Sequence, residues 1–114
     1  MSNRGGRDHN SGNATIEYVI HTVGPVWQGG NSDEDRLLSN AYMNSLRLAV
    51  ENNIHSLAFP NISTGVYGFP KGRAARIATD VVRDFLAHDR TLKRIIFCCF
   101  DEENYKIYTS ILDP

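Results

Sequence analysis

Hydrophobic positions along the chain fall into short continuous runs separated by stretches with a helical repeat. Residues 16–23 carry Tyr18, Val19, Ile20 and Val23, too continuous for a sheet with one wet face, so they predict a first strand covered on both sides. Gly24-Pro25 ends it, and a loop runs through Trp27, Gly29 and Gly30. Ser32 or Asp33 then caps a helix, with Glu34 and Asp35 in its positive first turn. Its inward stripe is Leu38, Ala41, Tyr42, Ser45, Leu46 and Ala49, and Asn52-Asn53 closes it. A second strand is centred on Leu57-Ala58-Phe59. A second helix starts near Arg73, buries Ala74, Ile77, Ala78, Val81 and Phe85, and runs to Leu86 or Ala87. Its Asp80, Arg83 and Asp84 make a solvated face. Residues 93–100 predict a third strand, apolar on both faces. Asp101 then caps a last helix with Tyr105, Tyr108 and Leu112 on one flank and Ile107 and Ile111 on another.

Strand and helix alternate throughout, which predicts an α/β fold of three layers, helix on sheet on helix, around a small, mostly parallel sheet. Residues 1–15 offer almost nothing to bury and read as a flexible tail or an opened loop; residues 16–114 form the domain. Arg7 and His9 in that tail, and His21 inside the first strand, read as solvated and as a hydrogen-bonded core residue respectively, rather than as chemical groups.

Composition narrows the function classes. With 114 residues the chain makes one small domain, and 41% hydrophobic with 22% charged residues is ordinary globular usage. A formal net charge of −1 gives no electrostatic case for nucleic acid or a membrane surface. No apolar run is long enough for a membrane span and no signal-peptide core opens the chain, so the reading is cytoplasmic. Cys98 and Cys99 are adjacent on a strand, so their side chains point to opposite faces. Neither a mutual disulfide nor a metal site follows, and both read as buried structural residues. No cofactor is implied, and no carboxylate pair, Ser-His-Asp or Cys-His set marks a catalytic centre.

The stretch with chemical content is residues 56–72. A short strand breaks into Ser63-Thr64-Gly65-Val66-Tyr67-Gly68, and a helix follows at once. Strand, small-residue turn and helix can aim several backbone N–H groups at one point, which with the helix dipole makes an anion seat. Gly65 and Gly68 admit positive φ and a close ligand; Val66 and Tyr67 supply an apolar wall for a sugar; Lys71 and Arg73 add positive charge. The same residues also suit an ordinary strand-to-helix loop in which the glycines only make the turn. At the far end of the third strand, Phe100 and Asp101 come to the same sheet edge, where α/β proteins bind ligands. An aromatic ring and a carboxylate there would stack on and hydrogen-bond a nucleobase; the alternative is a core Phe100 and an Asp101 that only caps.

Several blocks, in order, carry a family resemblance. They are residues 18–27 (YVIHTVGPVW), Ala41-Tyr42 with Ser45-Leu46, residues 57–70 (LAFPNISTGVYGFP) and residues 100–105 (FDEENY). From Ile16 onward the chain resembles the macrodomain family of ADP-ribose-binding modules, some of which hydrolyse ADP-ribose from proteins or deacetylate O-acetyl-ADP-ribose. The resemblance implies that Ser63, Thr64, Gly65, Val66, Tyr67 and Gly68 wrap the diphosphate and distal ribose. It also implies that Pro60 and Ile62 shape the floor, and that Phe100 lies against adenine with Asp101 beside it. The amino-terminal strands, helix and asparagine- and glycine-rich loop of the family have no counterpart here, so the match is to its carboxyl-terminal portion. Two expectations follow. Open strand edges favour a homodimer or higher assembly. Lost phosphate and ribose hydrogen bonds, each worth about 0.5–1.5 kcal/mol, leave ADP-ribose binding weak.

Overall fold

The computed structural model describes residue 20, residues 22–65 and residues 67–113. Three helices and two strands follow in the order α1 (Glu34–Glu51), β1 (Ser56–Phe59), α2 (Lys71–Ala87), β2 (Arg94–Phe97) and α3 (Glu102–Leu112). The two strands pair in parallel, with Ser56 opposite Arg94 and Phe59 opposite Phe97. Parallel neighbours need a crossover, and α2 supplies it. The predicted α/β class holds. Most of the first predicted strand, with His21, lies outside the described residues, as does the tail with Arg7 and His9; Thr22 and Val23, which are described, are not in a strand.

The core forms where the helical stripes meet one face of the strand pair. Every residue of the stripe predicted for α1 is buried. In α2 the buried set is Ala74, Ala75, Ala78, Thr79, Val81 and Val82, while Ile77 and Phe85 are half-buried against it. The second helix begins at Lys71, a half-turn before Arg73. An aromatic chain crosses the layers: Tyr42 of α1 meets Phe59 of β1 edge-on at 4.9 Å, Phe59 stacks on Phe97 of β2 at 6.1 Å, and Phe97 meets Tyr108 of α3 at 4.9 Å. Each such contact adds attraction beyond the area it buries.

Strand periodicity then decides exposure. Leu57, Phe59, Ile95, Phe97 and Cys99 face the helices, and Ser56, Ala58, Arg94, Ile96, Cys98 and Phe100 face outward and are exposed. The third strand was expected to be covered on both faces, but among the described residues only one is. Cys98 and Cys99 do point to opposite faces, but Cys98 is exposed and Cys99 half-buried, so the expectation that both are buried is corrected. In α3 the flank of Tyr105, Tyr108 and Leu112 is split, with Tyr108 buried while Leu112 and Tyr105, the latter 62% exposed, face solvent. The helix seats Asn104, Ile107, Tyr108 and Ile111 against the core, and Asp101 caps its start by accepting the Asn104 N–H at 2.8 Å.

The start of α1 also differs from expectation. Asp33 occupies the cap position in the left-handed region (φ 62°), and its side chain makes no cap hydrogen bond, binding Arg36 instead. Glu34 closes this end in another way. Its buried carboxylate accepts the N–H groups of Gln28 at 2.7 Å, Gly30 at 3.0 Å and Ser32 at 2.7 Å, drawing the preceding loop into a nest around itself. Burial pushes the Glu34 carboxyl up, but these backbone donors outweigh it and hold the pKa down to about 2.

Two expectations follow. Phe59→Ala should cost about 3–5 kcal/mol in chemical denaturation, because its ring bridges two layers. Ile96→Ala, on the open face, should stay within about 0.5 kcal/mol. Equal costs would mean that the second face is covered. The folded pKa of Glu34 lies below its unfolded value, so its contribution to stability is complete above pH 4.5 and is lost as pH falls toward 2. Melting curves should therefore show Glu34→Gln less stable than the parent at pH 7, with a shallower loss of stability between pH 4.5 and 2.

Candidate functional site

Because β1 and β2 are parallel, their carboxyl ends open onto the same edge. From β1 the chain enters the loop of residues 60–70; from β2 it enters residues 98–101. The first loop is closed on itself by two main-chain bonds, Phe69 N–H to Ser63 O at 2.8 Å and Gly68 N–H to Gly65 O at 3.0 Å. Phe69 is the plug beneath it, buried and packed on Trp27 at 4.9 Å between ring centres. The Trp27 N–H donates to Tyr67 O at 2.9 Å, and the Arg73 guanidinium lies over the Trp27 ring. Trp27 thus joins its own loop, held by Glu34, to the loop after β1.

Within this loop Ile62 and Thr64 are buried, Ser63 is half-buried, and Pro60, Gly65, Tyr67 and Gly68 are exposed; Val66 lies outside the described residues. Thr64 points its hydroxyl inward to Asn61 O at 3.2 Å. The amides of Ser63, Gly65 and Tyr67 have no hydrogen-bond partner among the described residues, whereas those of Gly68 and Phe69 are spent on closing the loop. The glycines divide their work differently from the sequence reading. Gly68 has a φ of +75°, but Gly65 does not adopt positive φ, and Ser63 takes the left-handed conformation instead at +67°. A Cβ on Gly65 would meet nothing within 4 Å, so its contribution is open space above the loop. Gly24, singled out only as a strand terminator, is the close-approach glycine. A Cβ there would collide with the Ser63 hydroxyl and the Ile62 side chain.

The two cations expected to face phosphate are already engaged. Arg73 makes a two-pronged ion pair with Asp35, both contacts at 2.7 Å, which raises its pKa. Lys71 donates to Asp101 and to Glu103, each at 2.8 Å, and both pairs raise its pKa. Both cations at this edge are therefore already paired with carboxylates.

Phe100 stands 58% exposed at the end of β2, with Lys71 Nζ 5.9 Å from its ring centre. It is an open platform and not a core residue. Asp101 is a cap, and more. One oxygen takes the Asn104 N–H and side-chain amide, the other takes Lys71, and Lys71 followed by the Asn104 amide holds its pKa below the usual carboxylate range. Pro60, Ile62, Ser63, Thr64, Gly65, Tyr67, Gly68, Phe100 and Asp101 are thus gathered at one edge. The residue that joins the two halves, Asn61, was passed over in the sequence. It is a polar side chain between a strand and a glycine loop, and its Oδ1 accepts the Phe100 N–H at 2.9 Å. Among the described residues no three His, Cys, Asp or Glu side chains gather to hold a metal ion, and no helix is long and apolar enough to cross a membrane.

Comparison with known proteins places this geometry. The family described as Macro domain matches residues 8–78. A macro domain-containing protein of Cupriavidus necator is 56% identical over 97 residues, covering 85% of this chain and 56% of that protein. O-acetyl-ADP-ribose deacetylase 1 of Pantoea vagans is 50% identical over 103 residues, covering 90% of this chain and 60% of that protein. Among solved structures, the Oceanobacillus iheyensis macrodomain with ADP superposes with a TM-score of 0.80 at 38% identity, over 85% of this chain and 50% of that one. The Trypanosoma brucei macrodomain in complex with ADP-ribose gives 0.79 at 39% identity, over 85% of this chain and 40% of that one. The chain spans about half the length of the relatives it matches. With a family match over more than half of its residues, and relatives that share both sequence and fold, the chain belongs to the Macro domain family.

Proposed function

We propose that this chain is an ADP-ribose-binding module. The diphosphate would lie over residues 63–68, the distal ribose beside Tyr67, and adenine on Phe100. The carrying observation is the placement, at one sheet edge, of a closed loop with open space over Gly65 and an exposed aromatic platform tied to it through Asn61. Relatives named O-acetyl-ADP-ribose deacetylase, and solved macrodomains with ADP and ADP-ribose, support the ligand class. The proposal is for binding; ester hydrolysis of the kind those names describe would be read separately, by release from an ADP-ribosylated protein. An exposed free thiol at Cys98 suits a reducing cytoplasm.

Self-association is a second reading. Ala58, Ile96 and Cys98 form an exposed, largely apolar face on the strand pair, the kind of surface that a second copy covers. Light scattering at micromolar concentration should give a dimer or larger mass, and a monomer would count against it.

The binding proposal is tested by titrating the chain with ADP-ribose, following heat or amide shifts. Binding weaker than low micromolar is expected. Phe100→Ala should weaken it about 5- to 150-fold, since base–aromatic stacking is worth about 1–3 kcal/mol. Gly65→Val should abolish it with little change in melting temperature, because a Cβ there meets no atom within 4 Å yet would stand where the diphosphate would lie. Wild-type protein that gives no shifts at millimolar ligand, or a Gly65→Val variant that still binds, would defeat the proposal.

A further inference from the structure

We infer that the Asn61 side chain is a positioning residue for the base platform, making the rung of the sheet that the backbone gives up in order to form the ligand loop. The register carries the argument. With Phe59 opposite Phe97, the Cys98 N–H donates to Phe59 O at 2.7 Å. A parallel ladder repeats every two residues, so its next bond would run from the Phe100 N–H to the main-chain carbonyl of Asn61. That carbonyl is used elsewhere. It takes the Thr64 hydroxyl at 3.2 Å and, at 3.5 Å, the Thr64 N–H, which starts the turn into the loop. The Asn61 side-chain oxygen takes its place and accepts the Phe100 N–H at 2.9 Å.

One residue therefore serves both halves of the site, its backbone starting the loop and its side chain holding Phe100. Asn61 is only 8% exposed, so water is a poor substitute for that oxygen. Its amide nitrogen donates to the Cys99 sulfur at 3.8 Å and lies near the Tyr108 hydroxyl, so the oxygen is the atom that meets Phe100. Without it the Phe100 backbone keeps its chain connection but loses the bond that fixes its distance from residues 63–68. A ligand that spans loop and platform would sense the change; a ligand held by the loop alone would not.

This inference rests on the proposed ADP-ribose reading, and the test separates the two. The full chain and its Asn61→Ala, Asn61→Asp, Phe100→Ala and Asn61→Ala/Phe100→Ala variants are titrated with ADP-ribose and with inorganic pyrophosphate, which has no base. Asn61→Ala should weaken ADP-ribose about 2- to 12-fold, the range for one net hydrogen bond, and leave pyrophosphate unchanged. Asn61→Asp keeps an acceptor oxygen for the Phe100 N–H but adds negative charge beside the diphosphate seat, so it should weaken both ligands while keeping the Phe100 amide protected from exchange. The double variant should bind no more weakly than Phe100→Ala. Unchanged ADP-ribose affinity in Asn61→Ala, equal loss for both ligands in that variant, or additive losses in the double variant would each overturn the inference. Should the wild type bind neither ligand, the functional proposal fails alone, and hydrogen exchange decides the positioning. Faster exchange of the Phe100 amide in Asn61→Ala but not in Asn61→Asp supports it; unchanged exchange overturns it.

Discussion

The structure depends on the parallel pairing of Ser56–Phe59 with Arg94–Phe97. Antiparallel strands joined by a hairpin would have sent their ends to opposite edges. Parallel pairing sends both to one edge, where the loop of residues 60–70 and the turn at Phe100 meet. The register also aligns Phe59 with Phe97, so the aromatic chain from Tyr42 to Tyr108 locks the strands to α1 and α3 and prevents a slip of one residue. Such a slip would turn Phe97 outward and Phe100 into the core.

Charge at the site follows a consistent scheme. Glu34 is engaged by loop amides, Arg73 by Asp35, and Lys71 by Asp101 and Glu103. These contacts hold the loops together, so in the proposed binding mode anion recognition would fall to main-chain N–H groups, whose directions are set by backbone geometry. Glu34 shows the principle in a filled state, as a carboxylate seated in a nest of amides formed by a neighbouring loop. The loop after β1 has unpartnered amides of the same kind, at Ser63, Gly65 and Tyr67, among the described residues.

Much of this was legible in the sequence because it follows from repeat and from local chemistry. The inward stripe of α1 was read residue by residue, since a helix of 18 residues shows its period clearly. The Asp101 cap and the loop residues could be read for the same local reason. What could not be read depended on distant partners. Asp33 looks like a cap until Glu34 takes the loop amides. Lys71 and Arg73 look like free cations until α1 and α3 bring Asp35 and Asp101 beside them. Asn61 carries no period and no motif of its own, and its role exists only once β2 lies alongside β1. Residues 93–100 read as buried on both faces because composition cannot distinguish a covered apolar face from an exposed one.

That last difference explains why the platform is available. Arg94, Ile96, Cys98 and Phe100 are successive outward positions on one strand and its continuation, and all are exposed. Phe100 is open because the period of two puts it on this row, and it stays on the row beyond the last backbone rung because the Asn61 oxygen continues the ladder. The exposed apolar row and the aromatic platform are therefore one feature of the strand. A partner covering Ala58, Ile96 and Cys98 would approach the same ring that would stack on a base. Association through this face and nucleotide binding at its end would then be energetically linked, each changing the affinity of the other by the same factor.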